Sequence, residues 1–173
     1  MQRWSEVDVR CWAVRRHRRY SFPMTLTYRP AAPSDIATCI ELRGKTRENA
    51  VSVERLKQLG VTLSSWSADV ASGNLPGYVC LEHDQIVGYC FADKRTGEIA
   101  VLALLPTWEG QGIGRTLLAM MVTDLSKLGF RRLLLGCSSD PNVRSYGFYR
   151  HLGWRFTGTF DANHDEVLEL LLD

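Results

Sequence analysis

The sequence lacks any apolar run that could span a bilayer. Its longest, IAVLALL at 99–105, falls far short of the ~20 residues required and suits a buried strand instead. Its five cysteines (Cys11, Cys39, Cys80, Cys90, Cys137) form no CxxC pair and no Cys/His spacing of a zinc site. His83, His151 and His164 likewise have no second ligand spaced for a metal, so no metal is assigned. Reduced thiols in a cytoplasm are the simplest reading of the cysteines, and they place the protein there. There is no internal repeat and no low-complexity segment, which excludes a solenoid or an array.

A large net charge of either sign is also lacking. The net charge is +2, and residues 1–23 hold six arginines against Glu6 and Asp8, a local +4 that leaves −2 for the remainder. The stretch CWAVRRHRRYSFP has neither the apolar core of a secretory signal nor a helical stripe. It reads as a basic N-terminal extension, with Met24 as a candidate natural start. A nucleic-acid arm is the functional alternative, but a charge run alone specifies little and nothing else in the chain points to nucleic acid.

What is present is an ordinary globular composition, 45% hydrophobic and 23% charged, over a length that supports one core. TLTYR at 25–29 reads as a strand. A helix follows from Pro33 to Arg43, with Pro33 at its first position, Asp35 in its first turn and Ala32 as a weak cap. Val53, Leu56 and Leu59 recur at helical spacing until Gly60, and a further helical stretch covers about 63–70. YVCLE and IVGYCFA, separated by HDQ, read as a hairpin, and EIAVLALLP as a third, more deeply buried strand. Ile113, Leu117, Met121, Leu125 and Leu128 mark one face of a helix ended by Gly129. RRLLLG returns as a strand, Asp140 and Pro141 open a short helix through Leu152, and WRFTG and EVLELLL are closing strands. This order predicts a mixed sheet with helices on both faces and a site where strands lead into helix N-termini.

The stretch EGQGIGRTLL at 109–118 is the chemical signal. Gly110, Gly112 and Gly114 permit a concave nest of N–H groups, the helix start adds unpaired N–H groups and a positive dipole end, and Arg115 and Thr116 add a charge and a hydroxyl. A phosphate or pyrophosphate is the natural guest. A dinucleotide fingerprint anchored on Gly110 would need glycine at Arg115. A P-loop would need four residues between its glycines and a lysine after the second, where this chain has three and Arg115. Tight packing between a strand and a helix is the bland alternative for the turn. Glu98 begins the preceding apolar strand, and a carboxylate beside a buried cleft would have a raised pKa suited to accepting a proton. Tyr149 lies on the helix after the next strand, where its hydroxyl could donate a proton to a leaving thiolate.

EIAVLALLP, EGQGIG and RTLLAMM together resemble the acetyl-CoA motif R/Q-x-x-G-x-G/A of the GNAT N-acetyltransferase superfamily. NVRSYGFYRHLGW resembles its second motif, N-x-x-A-x-x-F-Y-x-x-x-G-F. The resemblance covers residues 24–173 as one acetyltransferase domain and implies a mixed α/β (α+β) fold whose central, mostly antiparallel sheet is flanked by helices. It also implies acetyl-CoA as cosubstrate, an amine of a small molecule or peptide as acceptor, no membrane partner, and a homodimer as an assembly common in the family. Under it, Leu102, Ala103 and Leu104 present backbone groups to the pantetheine arm. The backbone N–H groups of Gln111, Gly112, Gly114, Arg115 and Thr116 hold the pyrophosphate, with Ile113 also in the cofactor-binding turn, and Asn142 takes the family's asparagine position near the pantetheine. Glu98 matches the general base and Tyr149 the general acid of a direct transfer, with strand N–H groups stabilising the oxyanion.

The sequence departs from the motifs at Glu109, where arginine or glutamine is usual, at Ser145 for alanine and at Trp154 for phenylalanine. The acid near the phosphate site either points away or weakens cofactor binding. Arg43, Arg47 and Trp66 are acceptor-pocket candidates, with a solvated face and a packed tryptophan as the alternative. Cys137 reads as a small buried thiol before a covalent acetyl carrier. A non-catalytic acyl-CoA-binding module with the same fold is the competing function.

Overall fold

The computed structural model describes residues 25–48 and 50–172. The basic extension at 1–23 and Met24 lie outside the described residues.

Seven strands form one sheet in the order β1-β2-β3-β4-β5-β7-β6. They are β1 (Leu26–Pro30), β2 (Gly77–Glu82), β3 (Gln85–Asp93), β4 (Glu98–Leu104), β5 (Arg132–Cys137), β6 (Arg155–Phe160) and β7 (Glu166–Leu171). All neighbours are antiparallel except β4 and β5, which run parallel. The helices are α1 (Ile36–Arg43), α2 (Val53–Gln58), α3 (Leu63–Ala71), α4 (Ile113–Lys127) and α5 (Arg144–His151), with a 3-10 turn at Pro33–Asp35 leading into α1. The mixed fold read from the sequence is the one observed.

Local chemistry explains the helix starts. Ser52 caps α2 by accepting the Arg55 N–H, and Thr62 caps α3 by accepting that of Ser65. Ala32 has no side-chain acceptor, but the Asp35 carboxylate accepts its N–H at 2.8 Å while also holding Arg29. Asp140 and Pro141 do not open α5. The Asp140 carboxylate instead takes the N–H of Asn142 two residues on, an Asx turn, and the helix begins only at Arg144.

Two apolar layers sandwich the sheet. One joins Ile113, Leu117, Met121 and Leu125 of α4 to Cys90, Leu133 and Leu168; the other joins Ile36, Cys39 and Leu42 of α1 and Trp66 of α3 to Val79, Tyr89 and Phe91. Strand β3 feeds both layers and is buried almost throughout, whereas in β4 only Ile99 and Ala103 are buried. The expectation that β4 is the more deeply buried strand is therefore corrected. Its composition is that of a core strand, but one edge borders a cleft. Leu128 also departs from its predicted stripe, at 59% exposed, and it is the C-cap of α4.

A bulge explains the cleft. Phe91 pairs with Val101 and Ala92 with Ile99, which leaves Ala100 as an extra residue in β4. Bulges bend the strand that carries them. Beyond it β4 diverges from β5, and Glu98 with Leu134 is the single register pair between them.

Candidate active site

The parting of β4 from β5 leaves backbone groups facing a gap. Leu105 donates its N–H to the Val87 carbonyl of β3 at 2.9 Å. Backbone groups alternate sides along a strand, so those of Ala103, opposite Tyr89, also face β3, while those of Leu102 and Leu104 turn to the gap. The expected backbone trio is thus reduced to Leu102 and Leu104; Ala103 is buried in the opposite layer.

At the end of the gap stands the glycine turn. Gly110 and Gly112 have φ of 76° and 82°, left-handed values that a side chain would strain. Gly112 is the N-cap of α4, and Thr116 donates the first N–H back to it, so the N–H groups of Ile113, Gly114 and Arg115 are not used within the helix. An ideal Cβ on Gly114 would meet Leu104, Phe148 and Leu102 at 3.4–3.7 Å, ordinary contact distances, so these three side chains wall the turn. The nest, the helix dipole and a narrow apolar slot suit a pyrophosphate joined to a slender arm.

A cavity of about 1320 Å³ joins this turn and slot to the mouth formed by α1, α2 and α3. Of the sequence candidates, Leu102, Leu104, Gly112, Ile113, Gly114 and Arg115 border it on the cofactor side. Glu98 and Tyr149 border it too, as do Arg43, Arg47 and Trp66. Gln111 and Thr116 do not. The Gln111 amide donates to the Thr107 carbonyl and the Thr116 hydroxyl to that of Gly112, so each side chain is tied to the turn's own backbone. Asn142 is likewise outside, its amide donating to Asp140.

Glu98 is an exposed residue of the cavity wall whose carboxyl is partly desolvated; that desolvation first, then the charges of Asp93 and Asp161, raises its pKa. Asp161 comes from the β6–β7 turn, where its Oδ1 accepts the N–H groups of Asn163 and Asp165 and its Oδ2 would lie 3.1 Å from a Cβ on Gly136. Asp165 beside it is raised as well, by burial and then by Asp161. Three carboxylates thus share one wall, a feature hidden in the sequence because Glu98 and Asp161 are 63 positions apart.

Tyr149 is buried between Phe148 and Trp154, with ring centroids 5.0 and 6.2 Å away. Its hydroxyl pKa is raised, chiefly by burial, and the phenol stays protonated throughout the neutral range. Trp154 fills the motif's phenylalanine position as a fully packed core residue. Cys137 is buried where it borders the cavity, and desolvation raises its thiol pKa, which favours a packing role. Trp66 packs edge-on against Phe91 and Tyr89 at 5.1 and 5.9 Å, and its buried indole N–H has no partner among the described residues.

Glu109 neither points away nor stands alone. Its Oε2 accepts from Arg47 Nε at 2.9 Å and from Arg144 Nη1 at 3.2 Å. Sequence reasoning missed Arg144, whose only signal was its place at the start of the second motif's helix.

The model of the Acetyltransferase (GNAT) family matches residues 41–154, a span containing the bulged strand, the glycine turn and α5. The chain belongs to the GNAT acetyltransferase family. Solved GNAT structures share the fold. The PaiA N-acetyltransferase of Thermoplasma acidophilum, in complex with coenzyme A, superimposes with a TM-score of 0.72 at 19% identity over 86% of this chain and 100% of its own. YncA of Salmonella typhimurium, with acetyl-CoA, gives 0.66 at 20% over 86% and 95%. The ribosomal-protein-S18-alanine N-acetyltransferase of Escherichia coli gives 0.65 at 14% over 86% and 95%. No curated protein matches the chain in sequence. Among the described residues, no group of three metal-ligating side chains gathers and no helix is long and apolar enough to cross a membrane.

Proposed function

We propose that this GNAT protein is an acetyl-CoA-dependent N-acetyltransferase that acts on a primary amine of a small molecule or peptide by direct transfer. The observation that carries the reading is the continuity of one cavity from the glycine turn, along the β4–β5 gap, to Glu98 and Tyr149. Leu102, Leu104 and the N–H groups from Gly112 to Arg115 would hold acetyl-CoA, which supplies an activated thioester when bound.

Glu98 takes the proton from the attacking amine. Its raised pKa brings it closer to neutrality, where a base can both be ionised and hold a proton. The amine nitrogen forms the new bond to the acetyl carbon as the carbon–sulfur bond breaks and its electron pair leaves on sulfur. Tyr149 stays protonated and hydrogen-bonds that sulfur. Full donation is uphill, since even an unperturbed phenol lies about 1.5 pKa units above a thiol. The wall of Glu98, Asp161 and Asp165 favours a cationic acceptor by attraction to its ammonium group. Its contact with Glu109 ties Arg47 to the glycine turn, on the cofactor side of the cavity and not among the acceptor contacts.

Incubation with acetyl-CoA and a panel of amino acids, polyamines, aminoglycosides and peptide N-termini, followed by thiol release, tests the reading. Turnover is expected on a cationic amine. CoA binding without turnover on any class would assign the fold to a non-catalytic acyl-CoA module.

A further inference from the structure

The acid at position 109 is built into an arginine cluster drawn from three separate segments. Arg47 comes from the segment after α1, Glu109 from the glycine turn and Arg144 from the first position of α5. A second contact ties the same segments, since Glu48 Oε2 accepts the Arg144 backbone N–H at 2.9 Å. The Glu109 side chain is only 18% exposed, whereas those of Arg47 and Arg144 are 54% and 57% exposed. Glu109 occupies one nitrogen of each guanidinium, and Arg144 Nη2 lies 4.0 Å from where a Cβ on Gly110 would stand. All three residues border the cavity beside Gly112 and Gly114. With Glu48 on the Arg144 N–H, two guanidiniums meet two carboxylates, so the cluster supplies oriented donor forks beside the turn and not a net positive charge.

We propose that Arg47 and Arg144, gathered on Glu109, clamp the pyrophosphate of CoA against the glycine turn, so that the motif's missing cation is supplied from two other segments and the acid serves as their anchor. The proposal rests on the acetyl-CoA reading above. Guanidinium groups suit it because they bind phosphate oxygens in pairs and never lose their charge. Such exposed ion pairs contribute little to folding, so the arrangement is one of position.

Calorimetric titration of the full chain with CoA, 3′-dephospho-CoA and pantetheine tests it. Arg47→Gln and Arg144→Gln should each weaken CoA and 3′-dephospho-CoA about tenfold, the loss typical of a charge-assisted contact. Pantetheine binding and the thermal midpoint should not change, and the salt dependence of CoA binding should become shallower. Glu109→Gln should weaken CoA about threefold, because the arginines lose their anchor, a loss on the scale of a modest hydrogen bond. Unchanged or tighter binding in Glu109→Gln overturns the anchoring role, and unchanged affinity in both arginine variants overturns the clamp. Losses seen with CoA but absent with 3′-dephospho-CoA would move the contact to the 3′-phosphate and overturn the pyrophosphate assignment. No CoA binding by the unsubstituted protein would instead remove the acetyl-CoA reading itself.

Discussion

Glu98 carries two opposed expectations in one side chain. A carboxyl whose folded pKa is raised prefers its proton in the native state. The stability this brings is complete below the unfolded pKa and is lost as pH rises through the folded one. At neutral pH the ionised group is therefore a burden on the fold, and Glu98→Gln should raise the thermal midpoint slightly. The gain is at most about 1 kcal/mol, since solvent screens this partly exposed group. The same substitution should lower kcat by about 10²-fold or more and remove the ascending limb of the pH–rate profile. That limb should lie above the ordinary carboxylate range in the unsubstituted enzyme, and a profile unchanged by Glu98→Gln would assign the base elsewhere. For Tyr149, replacement by Phe keeps the ring between Phe148 and Trp154 and deletes only the hydroxyl. It should reduce kcat about 10-fold or more with little change in melting temperature, as read by steady-state kinetics and calorimetry.

At the scale of elements, the glycine turn and α4 act as a unit. Gly112 combines a left-handed φ with the N-cap of α4. Gly112→Ala should therefore cost about 1 kcal/mol in unfolding free energy, from denaturant titration, and weaken CoA binding as the nest deforms. How legible each element was follows from the range of the interactions that set it. The α4 stripe could be read because helical periodicity is local, and Ile113, Leu117, Met121 and Leu125 are all fully buried. The start of α5 was misplaced because Asp140 can cap either a helix or an Asx turn, and the backbone beyond it decides which. The burial of β4 was overestimated because its residues resemble those of a core strand, while the bulge at Ala100 depends on pairing with a different strand. Glu109 was unreadable for the same reason, its partners lying 62 and 35 positions away.

At the scale of the whole molecule, the single register pair between Glu98 and Leu134 leaves the two parts of the sheet, β1 to β4 and β5, β7 and β6, joined by a ladder at one end only. Along the rest of the seam the amides of Leu102 and Leu104 find no strand to bond. On the proposed reading, a pantetheine arm laid there would take the place of the absent strand and lace the two parts together. Saturating CoA should accordingly slow hydrogen exchange at these amides and at β5. At about 100 times its dissociation constant, it should stabilise the fold by about 2.7 kcal/mol. The cosubstrate would then be a tie beam as well as a reagent: each turnover would discharge the protein's acetyl donor and, on release of CoA, also take away the brace across its own sheet.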